Sequence, residues 1–393
     1  LHNFSDLGVL PAFTDILMQR HITRPTAVQC LVIPRLLEGK SLLFRSPTGT
    51  GKTFAYLIPA LQRILAEPAD SVNLKSGPAV LVCAPTLELC SQIKSEVDFL
   101  LNGRGKVSLL IGSGDLNRQI DSLKKNKPLV AVGNPGRLLL LAKMGKLKFT
   151  GLRFLALDEA DRLAEKECRE EMITLSQLII DRTRDNPSLI VAANSATVSG
   201  KTKEFLHPLL DKTELLETDE HEILRERIHH WAIFSESRKK TQMLISLIAA
   251  AKPKKALVFT NRSFDAGKIV SILQSHAIAA AGLYSGRDKI ERKKAIDNFR
   301  SGKAAVLVSS DLAARGLDIP GISHVIALDV SENRDTYIHR AGRTGRAGKT
   351  GIMVSIGDEV EMRRLAALEK KLGIKVQPKE LFRGKVCDPV PSG

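Results

Sequence analysis

Residues Ser46–Thr53 read SPTGTGKT. They follow an apolar run, Ser41–Ser46, and precede a helix-like stretch that opens at Phe54. A strand, a glycine-containing turn and a helix in that order form a phosphate cradle. The loop residues Thr48, Gly49, Thr50 and Gly51 line it, and the two glycines let amide N–H groups turn toward phosphate oxygens. Lys52 adds a positive charge at the β and γ phosphates, and Thr53 offers a hydroxyl to Mg2+. The strict pattern begins with Gly, where this chain has Ser46.

Similar apolar runs recur on either side of this loop. In the first half they are Ser41–Ser46, Ala79–Ala84, Leu129–Gly133, Phe154–Leu157 and Leu189–Ala193. In the second half they are Trp231–Phe234, Ala256–Thr260, Ala304–Ser309, His324–Leu328 and Ile352–Ile356. Each is followed by a turn and a helix-like stretch. Near-continuous apolar strands alternating with helices predict α/β domains, each a parallel sheet with helices on both faces. The pattern occurs twice, and 393 residues suit two domains. The charged stretch ELLETDEHEILRER, poor in strand pattern, places a linker over 214–228. The domains are then 1–213 and 229–376, and the proline-containing segment 377–393 reads as a loose tail. Leu138–Leu141 reads as part of a core helix.

A second chemical signal is FLALDEAD at Phe154–Asp161. An apolar strand ends directly in acids. Asp158 at the strand's carboxyl end suits Mg2+, and Glu159 beside it suits activation of an attacking water.

The chain carries a formal net charge of +16, which points to a polyanionic partner. Only 4% of residues are aromatic, which argues against a stacking platform and for a grip on a nucleic-acid backbone. Five cysteines form no C-x-x-C pair, so free thiols in a reducing cytosol are expected and a zinc site is not. No apolar run is long enough to span a membrane, and the first residues lack a secretory pattern. The chain starts at Leu1 rather than Met, as a trimmed or partial chain would.

The acids DEAD, Ser195–Thr197 (SAT) and His339–Arg346 (HRAGRTGR) together resemble the DEAD-box RNA helicase family of superfamily 2, in order and spacing from about Phe4 to Ile356. The resemblance implies two tandem RecA-like domains, the first binding ATP. His21–Gln29 resembles the Q motif, which implies that Gln29 reads adenine and that Arg24 belongs to the same site. Phe4 stands where the family stacks an aromatic on adenine; core packing is the competing reading. Pro85 and Thr86 resemble an RNA-contacting motif, with Leu87 where the family usually has Arg. Gly112 and Gly114, and then Pro135, Gly136 and Arg137, resemble two further RNA motifs, with Asn134 in place of Thr. Glycine amides there could approach phosphates closely.

Ser195 and Thr197 resemble the motif that couples hydrolysis to strand separation, by bonding to Asp161. In the second domain Thr260, Arg292 and Ser310 resemble RNA contacts. The family's usual His and Gln are replaced by Tyr284 and Lys289, and Ser310 replaces Thr. Gly316 and Asp318 match positions near the ATP ribose. In the last motif His339 belongs to coupling, and Arg343 and Arg346 match arginine fingers on the γ-phosphate. Lys52, Glu159, Arg343 and Arg346 are the implied catalytic set.

The implied function is an RNA-dependent ATPase, a helicase that binds, locally unwinds and releases RNA, single-stranded or as a short duplex. Its expected cofactors are ATP and Mg2+, and it is expected to be cytoplasmic and monomeric. An ATP-dependent RNA clamp with little unwinding, or a DNA helicase with the same core, uses the same motifs.

Overall fold

The strand β2 (Val80–Cys83) reads VLVC, and all four side chains are buried. Val80 and Val82 enter one apolar cluster, while Leu81 and Cys83 enter another. Alternate residues of a strand point to opposite faces, so both faces of this sheet are covered. On one side lie the helices Pro11–Met18, Ala27–Leu37, Lys52–Ala66 and Leu87–Leu101. On the other lie Pro135–Lys143, Lys166–Thr183 and Gly200–Leu206. Leu138, Leu139 and Leu141 are buried in the helix Pro135–Lys143, as their apolar run predicts.

The structure, a computed structural model, describes residues 3–46, 50–68, 72–184, 188–195, 197–198, 200–210, 214–217, 224, 226–260, 263–284, 289–314, 319, 321–345 and 349–389. It divides into two units, one of Leu1–Ser46 with Thr50–Thr218 and one containing Asp219–Gly393.

The first unit also contains β1 (Leu42–Arg45), β3 (Val107–Leu110), β4 (Val130–Gly133), β5 (Phe154–Leu157), β6 (Ile190–Ser195) and β7 (Glu214–Glu217). Its sheet runs β3-β4-β2-β5-β6-β1-β7, all parallel. The second unit has β8 (Ile228–Phe234), β9 (Ala256–Phe259), β10 (Ala280–Leu283), β11 (Val306–Ser309), β12 (His324–Ala327), β13 (Gly351–Gly357) and β14 (Val376–Pro378). These run β10-β11-β9-β12-β13-β8-β14, again all parallel. The two orders are the same when strands are counted within each unit. Leu257 and Phe259 of β9 face one cluster, and Ala256 and Val258 face the other. These are tandem RecA-like α/β units.

Two expectations are corrected. The charged linker begins too early, because Glu214–Glu217 pairs with β1 as a strand. Its Leu216 is buried, and this apolar anchor outweighs the flanking acids. The segment from 377 is not loose. Val376–Pro378 pairs with β8, and β15 (Glu380–Phe382) and β16 (Lys385–Cys387) form an antiparallel hairpin. Leu381 and Val386 of that hairpin pack against the second core. Edge pairing tolerates Pro378, since an edge strand needs donors on one side only.

His230 in β8 is buried between two partners. One ring nitrogen, Nε2, lies 2.8 Å from the Leu224 carbonyl, so it must carry the proton. Nδ1 then accepts from the Tyr337 hydroxyl at 2.8 Å. Burial pushes the His230 pKa below its ordinary 6.5, and burial does the same to His324. A neutral folded histidine and a titrating unfolded one make stability complete above about pH 6.5 and lost as pH falls from there through the folded pKa. The slope is at most about 1.4 kcal/mol per pH unit for each histidine. Urea unfolding followed by the single tryptophan, Trp231, should show this loss between pH 8 and 5. His230→Gln should flatten it, and an unchanged slope in that variant would remove His230 as a source.

Candidate active site

All strands of each sheet run one way, so the residues that follow strand ends collect along one edge. In the first sheet the segments after β5, β6 and β1 carry Asp158 and Glu159, Thr197, and the phosphate loop. These strands are neighbours. The segments after β3, β4 and β2 carry Gly112 and Gly114, Pro135–Arg137, and Pro85 with Thr86. These are neighbours too, on the other half of the edge. The sheet order therefore separates the residues expected at ATP from those expected at RNA.

The phosphate loop is anchored from outside. Gly51 adopts φ +88°, and a Cβ there would stand 2.6 Å from Gln29 Nε2, so only glycine fits. Gln29 Nε2 donates to the Gly51 carbonyl at 3.1 Å, while its Oε1 accepts from the Thr26 amide at 2.9 Å. The side chain is 2% exposed, so its amide holds the loop as well as offering its remaining hydrogen and lone pair. Ser46, at the position of the usual glycine, is buried and shares a 2.7 Å hydroxyl contact with Thr50. Lys52 is buried at the first turn of the helix Lys52–Ala66, Thr53 is half-buried, and Arg24 is exposed. Phe4 is a correction. It packs in the first core beside Leu7 and Val9, 3% exposed, because a short 3-10 turn tucks it inward; it offers no face to adenine.

Asp158 ends β5 and is buried. Its Oδ2 accepts from the buried Tyr56 hydroxyl at 2.7 Å. Burial first, and then the Asp158 charge, push the Tyr56 pKa well above the ordinary phenol value. Glu159 adopts φ 53° and ψ 56°, a left-handed conformation costing about 1–2 kcal/mol for a residue with a Cβ. Its amide donates to Asn194 Oδ1 at 3.3 Å, and its neighbours Leu157 and Ala160 are buried. Burying a leucine contributes about 1.5–3 kcal/mol, enough to offset the strain. Asp161 Oδ2 accepts from both the Thr197 hydroxyl at 3.0 Å and the Thr197 amide at 3.2 Å. Ser195 departs from expectation: its hydroxyl donates to the Thr197 carbonyl, so it shapes the turn and does not reach Asp161.

The RNA side is also corrected in part. The Gly112 amide donates to Asn134 Oδ1 at 3.1 Å, and the Gly114 amide donates to the Ile111 carbonyl at 3.0 Å. Neither is left to a phosphate. Arg137 is 9% exposed and turns inward, donating to the carbonyls of Gly112 and Gly114 and to Gln119 Oε1. The loop carbonyls need donors once they leave water, and this guanidinium supplies them. Pro135 is buried and Gly136 half-buried at the start of their helix. Thr86 accepts from the Leu89 amide as a helix cap.

In the second unit, Thr260 and Ser310 are buried at the ends of β9 and β11. Arg292 donates to the Ala313 carbonyl at 2.9 Å. His339 lies in the helix Arg334–Ala341, and Arg343 is half-buried just after it. Thr48, Gly49, Gly316, Asp318 and Arg346 lie outside the described residues.

Three residues escaped the motif reading. Tyr56 is the lone phenol in the apolar run FAYLIPAL, and Asn194 the lone amide ending an apolar strand; a polar side chain in such a run is the usable signal. Arg340 is 2% exposed and bonds Asp311 through Nε at 2.7 Å and Nη2 at 2.6 Å. Its neighbours in HRAGRTGR drew attention to the fingers instead.

A phosphate loop, an acid pair at a strand end and two RecA-like units define a P-loop nucleoside-triphosphatase of the helicase class. The DEAD/DEAH box helicase family matches residues 26–206, and the helicase conserved C-terminal domain matches residues 239–348. The chain belongs to the DEAD-box family of ATP-dependent RNA helicases. It is 36% identical over 367 residues to the DEAD-box ATP-dependent RNA helicase CshC of Bacillus cereus, covering 93% of this chain and 90% of that one. It is 34% identical over 364 residues to the probable ATP-dependent RNA helicase YfmL of Bacillus subtilis, covering 92% and 93%. Among solved structures, Mss116p bound to single-stranded RNA and AMP-PNP superposes with a TM-score of 0.83 at 26% identity, over 96% of this chain and 80% of that one. In fold it also matches S. cerevisiae Dbp5 bound to RNA and ADP BeF3, with a TM-score of 0.82 at 24% identity, over 96% and 95%.

Arg137→Ala would leave the Gly112 and Gly114 carbonyls short of donors. A cost of about 1–3 kcal/mol is expected, with faster amide hydrogen exchange at residues 112–119. Retained protection there would show that the loop does not depend on Arg137.

Proposed function

We propose that the first unit binds ATP through Gln29, Lys52 and the loop amides, and that Glu159 is the general base for in-line attack of water on the γ-phosphate. The observation that carries this reading is the cluster on one half of the sheet edge: Lys52, Asp158, Glu159 and the Asp161–Thr197 bonds. The left-handed turn at Glu159 supports it further, since backbone strain at a reactive carboxylate is a mark of positioning.

Thr53 and Asp158 suit magnesium. Tyr56 takes only Oδ2 of Asp158, so Oδ1 keeps its accepting capacity among the described residues, and hard oxygen donors are what this ion requires. Thr53 and Asp158 would hold the ion, which would supply positive charge against that developing on the phosphoryl oxygens. Arg343 and Arg346 act as fingers, because a guanidinium bonds a phosphoryl group bidentately. Hydrolysis then draws on residues of both units. Thr197 relays the change from Asp161 toward the RNA half of the edge.

RNA is placed on the segments following β3, β4 and β2, and on those following β10, β11 and β9, with Thr86, Gly136, Thr260 and Ser310 among the contacts. Release of phosphate frees the RNA after local unwinding. The RNA-bound and nucleotide-bound state of Mss116p supports extending this to the present chain. We further assign the chain to the cytoplasm, where five free thiols stay reduced, and to a monomer, because one chain carries the full motif set.

Glu159→Gln should slow ATP turnover by about 10²–10⁴-fold while ATP-dependent RNA binding persists, measured by phosphate release and RNA fluorescence anisotropy. Normal turnover would remove Glu159 as the base. Arg343→Ala should lower turnover by about 10³-fold or more and spare binding of a fluorescent ATP analogue. Wild-type hydrolysis by that variant would defeat the finger assignment.

A further inference from the structure

Tyr56 has a buried hydroxyl whose partner, Asp158, is assigned above to magnesium. It lies one turn after Thr53 on the helix Lys52–Ala66 and is 0% exposed. Its hydroxyl donates to Asp158 Oδ2 at 2.7 Å. Packing alone would be served by phenylalanine, which has the same shape and no polar atom to desolvate. The hydroxyl adds direction. A phenol has one proton, and Asp158 receives it. A carboxylate held at Oδ2 presents Oδ1.

We propose that Tyr56 is a positioning residue for the metal: through its phenolic proton it fixes Oδ2 of Asp158, so that Oδ1 offers a lone pair to magnesium. The proposal rests on reading Thr53 and Asp158 as the metal-holding pair. Hydrogen-bonded partners of metal ligands typically change metal affinity by about 10–100-fold when removed. The lower end applies here, because phosphate oxygens share the ion.

The test is Tyr56→Phe in the whole chain. Manganese, as a paramagnetic probe, is titrated by electron paramagnetic resonance in the presence of ADP. ADP affinity is measured with magnesium and again in EDTA. The expected result is manganese affinity weakened on the order of tenfold, ADP affinity weakened with magnesium, and ADP affinity unchanged in EDTA. Turnover lost at low magnesium should return as magnesium is raised. Unchanged manganese affinity would overturn the proposal. So would equal losses of ADP affinity with and without magnesium, which would make Tyr56 a packing residue only. Asp158→Asn separates the two readings. If that variant keeps manganese affinity, the metal assignment itself fails; if it loses affinity while Tyr56→Phe does not, only the role of Tyr56 fails. Should Tyr56→Phe not fold, 3-fluorotyrosine at position 56 keeps the ring and makes the hydroxyl a more acidic donor. Manganese affinity must then shift, and a constant value would overturn the proposal.

Discussion

A strand covered on both faces and paired on both edges has only its ends to offer to a ligand. That constraint organises this protein. Apart from β8, with its histidines and Trp231, the interior strands of each sheet are filled mainly with aliphatic side chains that alternate between two apolar clusters. Chemistry is thereby excluded from the body of each unit and confined to the turns at the carboxyl edge. The strand order then decides which turns are neighbours. Because β5, β6 and β1 are adjacent, the acids, the Thr197 turn and the phosphate loop meet, although they come from distant parts of the chain. Because β3, β4 and β2 are adjacent, a second and separate set of turns lies beside them. The second unit repeats the order, so its turns sort in the same way.

Turns at such an edge need to be held, and buried polar side chains hold them. Gln29 grips the Gly51 carbonyl, Tyr56 grips Asp158, Asn194 grips the Glu159 amide and Arg137 grips two glycine carbonyls. Leaving such a group unpaired in the interior costs about 1–3 kcal/mol. Each of these bonds therefore penalises any movement of the turn it holds by an amount comparable to the strain stored at Glu159. The reactive groups are rigid because less reactive ones, a layer behind them, have their directions fixed. Asp161 differs in kind: it takes two bonds from Thr197 and so links the nucleotide half of the edge to the end of β6.

The ten interior strands were all legible in the sequence, and the four edge strands β3, β7, β10 and β14 were not. The reason is physical. An interior strand is buried on both faces and reads as an unbroken apolar run. An edge strand is under weaker demand, and these four show it: VSLL alternates with half-exposed positions, ELLE sits among acids, AAGL has no β-branched residue, and VQP ends in proline. The hairpin after β14 was hidden in the same way, since its few apolar residues only complete a core made elsewhere. The nucleotide residues were legible because their chemistry demands particular residue types at fixed spacing. Orientation was not. Residue type identifies Arg137 as a cation but carries no information about whether its guanidinium faces solvent or the carbonyls of a neighbouring turn.

That inward orientation bears on how RNA is gripped. A guanidinium bonded to backbone carbonyls keeps its charge but has fewer donors left to aim at a phosphate. Arg137 is spent in this way, Arg292 bonds the Ala313 carbonyl, and Leu87 replaces an arginine outright. Asn134, in place of threonine, takes the Gly112 amide as well. On the proposed RNA edge these motif residues would contribute shape as well as charge, with the excess of 16 positive charges over the whole chain supplying long-range attraction. A grip made of shaped turns holds a strand only when the strand adopts the matching curve. With RNA on these segments as proposed, such a grip would favour local deformation of a short segment over tracking along a charged groove, and RNA binding would be sensitive to the turns that buried bonds hold in place. The same bonds that fix the nucleotide edge thus have counterparts on the RNA edge, with Arg137 there in the position that Gln29 and Tyr56 occupy behind the phosphate loop and the acids.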